Sequence, residues 1–128
     1  MSRIVLDASA VLAVINGEPG SDELTSALLA EAAASAVNLA EVHTKLVSRG
    51  WIPSEAWEDA TSPVRDVVPF DQEQARITGD LVLQTASLGL SLGDRACLAL
   101  GLVLNASVYT ADKSWKKLKL GVAIHVIR

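Results

Sequence analysis

The hydrophobic positions of the chain fall into two alternating patterns. Short unbroken apolar runs that stop at a polar residue are typical of buried strands in a parallel sheet, and "IVL" before Asp7 is the clearest of them. Longer segments repeat their apolar residues at helical spacing, as Leu39, Val42 and Leu46 do in "NLAEVHTKLVSRG". Strands are predicted near residues 4–7, 34–38, 64–70, 106–112 and 122–127.

Polar residues that can cap a helix mark where most of the helical segments begin. Gly79 is a weak point inside one of these segments, because glycine lowers helix stability. Helices are predicted over residues 8–15, 21–32, 38–50, 53–60, 71–89 and 91–104. The N-caps predicted from side-chain chemistry are Ser21, Asn38, Asp71 and Ser91.

The regular alternation of strands and helices predicts an α/β fold, with a parallel sheet covered by helices on both faces. A length of 128 residues predicts a single domain over residues 1–128. Cys97 cannot form an internal disulfide, which favours a reducing cytoplasm. No apolar stretch is long enough to span a membrane, and Asp7 interrupts the apolar N-terminus, so we expect a cytoplasmic protein without a membrane role.

Four carboxylates are predicted at one edge of this sheet. Asp7 and Asp112 each end a predicted strand, while Glu41 and Asp94 fall in the first turn of predicted helices. Ligands of open parallel sheets bind outside the carboxyl ends of the strands, where all four acids would meet. Two carboxylates about 4 Å apart repel by about 4 kcal/mol at an effective dielectric constant near 20, so a divalent cation is expected among them.

An all-oxygen site of this kind favours Mg²⁺ or Mn²⁺ over Zn²⁺. Such an ion suits phosphodiester hydrolysis, because it activates a bound water and neutralises charge on the phosphate. Each acid also has a purely structural explanation that the sequence leaves open. Asp7 can cap the helix that follows it, Glu41 and Asp94 can belong to capping boxes, and Asp112 can initiate a turn.

Four segments of the chain resemble, in order and spacing, the acidic motifs of PIN domains. The chain is most similar to the small ribonuclease toxins of VapC-type toxin–antitoxin pairs. The resemblance implies a three-layer α/β/α fold with a central parallel five-stranded sheet. The segments are "IVLDASAVLAVI", "NLAEVHTKL", "LSLGDRACLAL" and "VYTADKSWKKL".

The same resemblance implies Mg²⁺- or Mn²⁺-dependent endoribonuclease activity. It also implies a homodimer held inactive by a cognate VapB-type antitoxin. The catalytic acids that it implies are Asp7, Glu41, Asp94 and Asp112, with Ser9 and Thr110 as polar supports. Within this set, we expect Asp7 and Asp94 to bind the metal directly, and Glu41 and Asp112 to act through waters.

The chain departs from the family pattern at two positions. Arg95 follows the third acid where many relatives carry a small residue, and it can either bind phosphate at the cleft or pair with Asp94. Ser114 replaces a further acid, which leaves the presence of a second metal ion open. Arg95, Lys113 and Lys116 are candidates for binding the RNA backbone, although a solvated surface is the more ordinary role of such charges.

Two other classes of function remain open at this stage. The first is a non-catalytic PIN-like module that binds RNA or a partner without cutting. The second is phosphatase chemistry on a strand-end aspartate, although "DAS" lacks the second acid, two positions after Asp7, that this mechanism often uses.

Overall fold

The strands form one five-stranded parallel sheet in the computed structural model, which describes residues 4–128. The strands are β1 (Ile4–Leu6), β2 (Ala32–Ser35), β3 (Asp66–Val68), β4 (Ser107–Thr110) and β5 (Ile124–Val126). Their order across the sheet is β3-β2-β1-β4-β5, and every neighbouring pair is parallel. From the central strand β1, the chain therefore first adds β2 and β3 on one side of the sheet, and then β4 and β5 on the other.

Helices cover both faces of the sheet. They are α1 (Ala8–Asn16), α2 (Ser26–Leu29), α3 (Ala36–Ser48), α4 (Pro53–Thr61), α5 (Gln72–Asp80), α6 (Val82–Thr85) and α7 (Leu92–Leu104). Side chains of β1 alternate between the faces: Ile4 and Leu6 pack in one core with α1, α3 and α4, and Val5 packs in the other with α7. This arrangement confirms the predicted three-layer α/β/α fold. Among residues 4–128, no helix combines the length and the apolarity that a membrane span requires.

The segment between α1 and β2 differs from its prediction as one helix over residues 21–32. Ser21–Glu23 form a 3₁₀ turn, Leu24 leaves helical geometry, and only α2 is α-helical. Thr25 caps α2 by accepting a hydrogen bond from the Leu28 N–H at 3.3 Å, whereas the predicted cap, Ser21, makes no such bond. The apolar residues of this segment recur at helical spacing and therefore predicted one continuous helix. In the structure the cap at Thr25 starts a new helix within the segment.

The boundary between β2 and α3 lies earlier than predicted. β2 ends at Ser35, and the Ser35 hydroxyl accepts from the Val37 N–H at 3.2 Å, so Ser35 rather than Asn38 is the N-cap of α3. The prediction of a strand over residues 34–38 was wrong because β2 is mostly alanine, whose apolarity is too weak to mark it. As a result Glu41 is the sixth residue of α3, in its second turn and not its first.

The long helix predicted over residues 71–89 is divided in the structure. Asp71 caps α5 as predicted, accepting from the Gln74 N–H at 2.9 Å. The helix is interrupted at Leu81, which is buried in the core with α7, and continues as α6 and a 3₁₀ turn over Ala86–Leu88. The break lies two residues beyond the predicted weak point, Gly79. The break in the helix therefore coincides with the burial of Leu81. Helix propensity alone indicated Gly79, which is two residues too early.

Gly101 allows α7 to pack closely on β4. A Cβ atom at this position would collide with a methyl group of Val108, which is fully buried in the same core. Val108 is β-branched and stiff, so it has little freedom to move aside. Gly79 on α5 has no atom within 4 Å of the corresponding position.

We expect Gly101→Ala to lower the free energy of unfolding by about 1–3 kcal/mol through overpacking. The matched change Gly79→Ala should instead raise it by about 0.5–1 kcal/mol, because alanine favours a helix where there is space for its methyl group. Denaturant unfolding of both variants measures the difference. Equal effects of the two changes would contradict close packing at Gly101.

Candidate active site

Asp7 lies at the centre of the carboxyl edge of the sheet, directly after β1. It is 4% exposed and caps α1, with its Oδ1 accepting hydrogen bonds from the Ala10 N–H at 2.8 Å and the Ser9 hydroxyl at 2.7 Å. Its Oδ2 accepts from the Thr110 hydroxyl, at the end of the adjacent strand β4, at 2.6 Å. The capping role considered from the sequence is therefore present, and it is combined with a contact between strands.

The two hydroxyls that contact Asp7 are themselves held by the chain that follows β4. The Ser9 Oγ accepts from the Ala111 N–H at 2.9 Å, and the Thr110 Oγ1 accepts from the Asp112 N–H at 3.1 Å. Each hydroxyl thus accepts from a backbone amide and donates to the carboxylate. Ser9 and Thr110 thus both contact Asp7, and their role in supporting a metal site stays a prediction.

The environment of Asp7 disfavours its negative charge. Burial raises the pKa of the Asp7 carboxyl from 3.8 to about 6, and the nearby Asp94 carboxylate adds to the rise. Hydrogen bonds from Thr110, Ala10 and Ser9 oppose it without cancelling it. A buried carboxylate of this kind would be stabilised by a bound cation.

Asp94 is both a helix cap and a wall of the cleft above Asp7. The Ser91 Oγ accepts from the Asp94 N–H at 3.1 Å, and the Asp94 Oδ2 accepts from the Ser91 N–H at 3.0 Å. This reciprocal pair is the predicted capping box at the start of α7. The cap occupies Oδ2, and no donor within residues 4–128 bonds Oδ1, so capping leaves one oxygen of Asp94 available to a ligand.

Glu41 contacts the start of α7 through Asn38 and Gly93. The Asn38 amide group donates at 2.9 Å to the Glu41 Oε1 and at 2.9 Å to the Gly93 carbonyl, so it links α3 to α7. A Cβ atom on Gly93 would collide with the Glu41 carboxylate. The sequence indicated Asn38 only as a helix cap. Its contact with Gly93 spans 55 positions and has no local signal, whereas its contact with Glu41, three residues away, had a usable signal in helical spacing.

Asp112 follows β4 and caps the 3₁₀ turn Lys113–Lys117. Its Oδ1 accepts from the N–H and the hydroxyl of Ser114, at 2.9 and 2.8 Å. The turn-initiating role considered from the sequence is therefore present. The structure describes no donor to Oδ2, so this acid also keeps one oxygen free of the chain.

One cleft of about 370 Å³ brings the four predicted acids together. Within the part of the chain that the structure describes, none of the four forms an ion pair with a lysine or arginine. The uncompensated acids, all with oxygen donors, fit a hard divalent cation such as Mg²⁺ or Mn²⁺. The residues that line the cleft are Asp7, Ala8, Ser9, Leu12, Glu18, Glu41, Lys45, Arg49, Asp94, Asp112 and Arg128.

The acids surround this cleft without forming a closed ligand cage. Across residues 4–128, no three His, Cys, Asp or Glu side chains are close enough together to hold one metal ion. This spacing is compatible with Mg²⁺, which is usually bound by one or two carboxylates and retains several waters. It is less suited to a metal that needs four protein ligands.

The cations predicted to bind RNA are not among the residues that line the cleft. Arg95 points its guanidinium at α5, where it donates to the Thr78 carbonyl at 2.8 Å. Lys113 and Lys116 are exposed in the 3₁₀ turn after Asp112. An RNA-binding role for these three residues stays a prediction.

Three other cations line the cleft and were missed from the sequence. Lys45 and Arg49 lie four and eight residues after Glu41, and Arg128 lies at the far end of the chain. Helical spacing from Glu41 was a usable signal for the first two. No sequence pattern indicates Arg128, which reaches the cleft only through the tertiary fold.

The PIN domain family model matches residues 4–120. The chain therefore belongs to the PIN domain family. No curated protein matches it closely enough to be counted as a relative.

Several crystal structures share this fold. VapBC2 from Rickettsia felis, bound to a promoter DNA fragment, has 20% identity and a TM-score of 0.74, with 98% of both chains covered. DNA-bound VapBC from Salmonella typhimurium has 17% identity and a TM-score of 0.78, with both chains covered completely. VapC20 from Mycobacterium tuberculosis, described as a sarcin-ricin loop cleaving toxin, has 18% identity and a TM-score of 0.68, over 94% of this chain and 98% of that one.

Without divalent ions, the buried Asp7 should make the protein less stable as pH rises. The folded state holds the proton up to about pH 6 and the unfolded state only to about 3.8, so stability falls across that interval. A shift of about two pKa units corresponds to about 3 kcal/mol. Asp7→Asn should remove this component, which unfolding in a chelator at several pH values measures. An identical pH profile for both proteins would show that Asp7 titrates normally.

Proposed function

We propose that this protein is a Mg²⁺- or Mn²⁺-dependent endoribonuclease that acts as the toxin of a type II toxin–antitoxin pair. The observation that carries the proposal is the cleft that Asp7, Glu41, Asp94 and Asp112 line together, where none of the four forms an ion pair with a lysine or arginine of residues 4–128. Membership of the PIN domain family supports nuclease activity. The cleavage of the sarcin-ricin loop, an RNA, by the structurally similar VapC20 supports RNA as the substrate.

In this proposal Asp7 and Asp94 would hold the metal directly, and Glu41 and Asp112 would act through waters, one of the two orienting the attacking water. When bound, the ion would supply an activated water and neutralise charge on the scissile phosphate. Ser9 and Thr110 hold the Asp7 carboxylate in a fixed orientation by the hydrogen bonds described above.

Asn38 and Gly93 fix Glu41 against the start of α7. Because Asn38 donates to Oε1, Oε2 remains available for a water. We therefore assign these two residues a positioning role for Glu41.

The proposal includes a partner and an assembly. The similar structures from Rickettsia felis and Salmonella typhimurium are VapBC complexes, which supports a VapB-type antitoxin as the partner. A homodimer and a cytoplasmic location follow from the family resemblance.

A non-catalytic PIN-like module is the alternative. The observation that favours it is that, among the described residues, no three potential ligands already stand around one metal position. Cleavage assays separate the two candidates directly.

RNA cleavage should require Mg²⁺ or Mn²⁺ and should fall at least about 10²-fold in Glu41→Gln and in Asp94→Asn. Both changes remove a charge and keep a hydrogen-bonding group of the same shape, so the caps and the fold should persist. Glu58→Gln, an exposed change on α4, is the matched control. Gel analysis of total RNA with and without a chelator measures the loss.

The metal-site assignment fails if the two variants cut RNA as fast as the parent at equal stability. The alternative module gains support if the parent itself never cuts RNA, with either ion present.

Metal binding should also stabilise the fold, independently of any activity. An ion at about 100 times its dissociation constant stabilises the state that binds it by about 2.7 kcal/mol. Thermal unfolding with and without Mn²⁺ should show this gain for the parent and for Glu58→Gln, and little or none for Asp94→Asn. A gain of the same size in Asp94→Asn would exclude that residue as a direct ligand.

A further inference from the structure

One face of α3 carries acidic and basic residues in succession along the cleft. Glu41 and Lys45 are four residues apart in α3, which places their side chains on the same side of the helix, about 6 Å apart along its axis. Arg49, the C-cap of α3, follows four residues later. All three line the cleft. The wall that begins at Glu41 beside the other acids therefore ends at two cations.

The wall of the cleft formed by the residues at the two ends of α1 shows the same change, from acidic surroundings to basic ones. Asp7 precedes α1 and lies among the acids, whereas Glu18 follows the end of α1 and lies near Arg49 and Arg128. The cleft thus has an acidic half, formed by Asp7, Glu41, Asp94 and Asp112. It also has a basic half, formed by Lys45, Arg49, Arg128 and Glu18.

Within residues 4–128, Arg128 is the one cation of the basic half whose side chain donates hydrogen bonds to the chain, while Arg49 acts on Glu18 electrostatically. Arg128 donates to the Glu18 Oε1 at 3.0 Å and to the Pro19 carbonyl at 3.2 Å, and the Asn16 amide donates to the Glu18 Oε2 at 3.1 Å. The hydrogen bond from Asn16, and then Arg128, holds the pKa of the Glu18 carboxyl below its usual value. Arg128 and Glu18 therefore largely neutralise each other.

Lys45 and Arg49 are exposed, and their side chains donate no hydrogen bond to any atom of residues 4–128. Lys45 lies in the last turn of α3, where a positive charge interacts favourably with the helix dipole. That effect accounts for the sign of the charge at this end of the helix. It does not account for the position of both cations on the face that lines the cleft.

We propose that Lys45 and Arg49 bind backbone phosphates of the RNA next to the scissile one, so that the strand follows α3 from the acidic half to the basic half. This inference rests on the proposed function. The acidic half repels a polyanion except where a cation neutralises it, so affinity for the flanking RNA has to come from cations elsewhere in the cleft. The Lys45 ammonium supplies a point charge, and the Arg49 guanidinium can grip a phosphate through two hydrogen bonds.

The test is binding of a fluorescein-labelled single-stranded oligoribonucleotide to the Asp94→Asn protein, in which the RNA is not consumed. Adding Lys45→Ala and Arg49→Ala together should weaken binding roughly tenfold or more. The slope of log affinity against log salt concentration should become shallower by about 0.7 for each cation removed. The double change Lys45→Arg and Arg49→Lys, which keeps both charges, should restore most of the affinity and the slope.

Lys117→Ala with Lys119→Ala is the matched control, because both side chains are exposed and neither lines the cleft. This pair removes the same charge and should change affinity and slope far less. The inference is overturned if the control pair weakens binding as much as the Lys45 and Arg49 pair. It is also overturned if the charge-keeping variants fail to restore binding at unchanged thermal stability.

The outcome is separable from that of the proposed function. Loss of affinity in the Lys45 and Arg49 pair supports phosphate binding even if the protein proves not to cut RNA. Undiminished affinity in that pair overturns the inference even if the parent cuts RNA in a metal-dependent way.

Discussion

The structure depends on a buried carboxylate at the carboxyl end of the central strand, which has two strands of the sheet on each side. Asp7 follows the central strand, and its oxygens receive hydrogen bonds from its own helix and from the neighbouring strand β4. Because β1 and β4 are far apart in sequence, these bonds join the two halves of the sheet at its carboxyl edge. Burying a charge without a cation is costly, and the raised pKa of Asp7 reflects that cost.

The acids around Asp7 serve local structure and the cleft at once. Asp7, Asp94 and Asp112 each cap a helix or a 3₁₀ turn, and each also lines the same cleft. These roles coincide for a geometric reason: in a parallel α/β sheet the helices start at the carboxyl edge, so a capping side chain lies where ligands bind. The structural and functional interpretations of these acids are therefore compatible, and a capping role is no argument against a catalytic one.

Predictions from the sequence succeeded where a few adjacent residues contain the whole signal. The strand before Asp7, the capping box of Ser91 and Asp94, and the cap at Asp71 were all correct. The predictions failed where the contact that defines an element joins residues distant in sequence, or where the residues of a strand are only weakly apolar. Strand β2 is defined by its pairing with β1 and β3 rather than by its alanines, and because β2 ends at Ser35, that residue rather than Asn38 is the N-cap of α3.

By itself the sequence determined the α/β class, the order of the main elements, the location of Asp7 and Asp112 after strands and that of Asp94 in the first turn of a helix. Those features follow from hydrophobic periodicity and hydrogen bonds within a single turn, which act over a few residues. Only the tertiary structure decided that Asn38 bridges α3 to Gly93, that Arg95 turns to α5, and that Lys45 and Arg49 extend the cleft. Such contacts join residues distant in sequence, so they exist only once the sheet has brought those residues together.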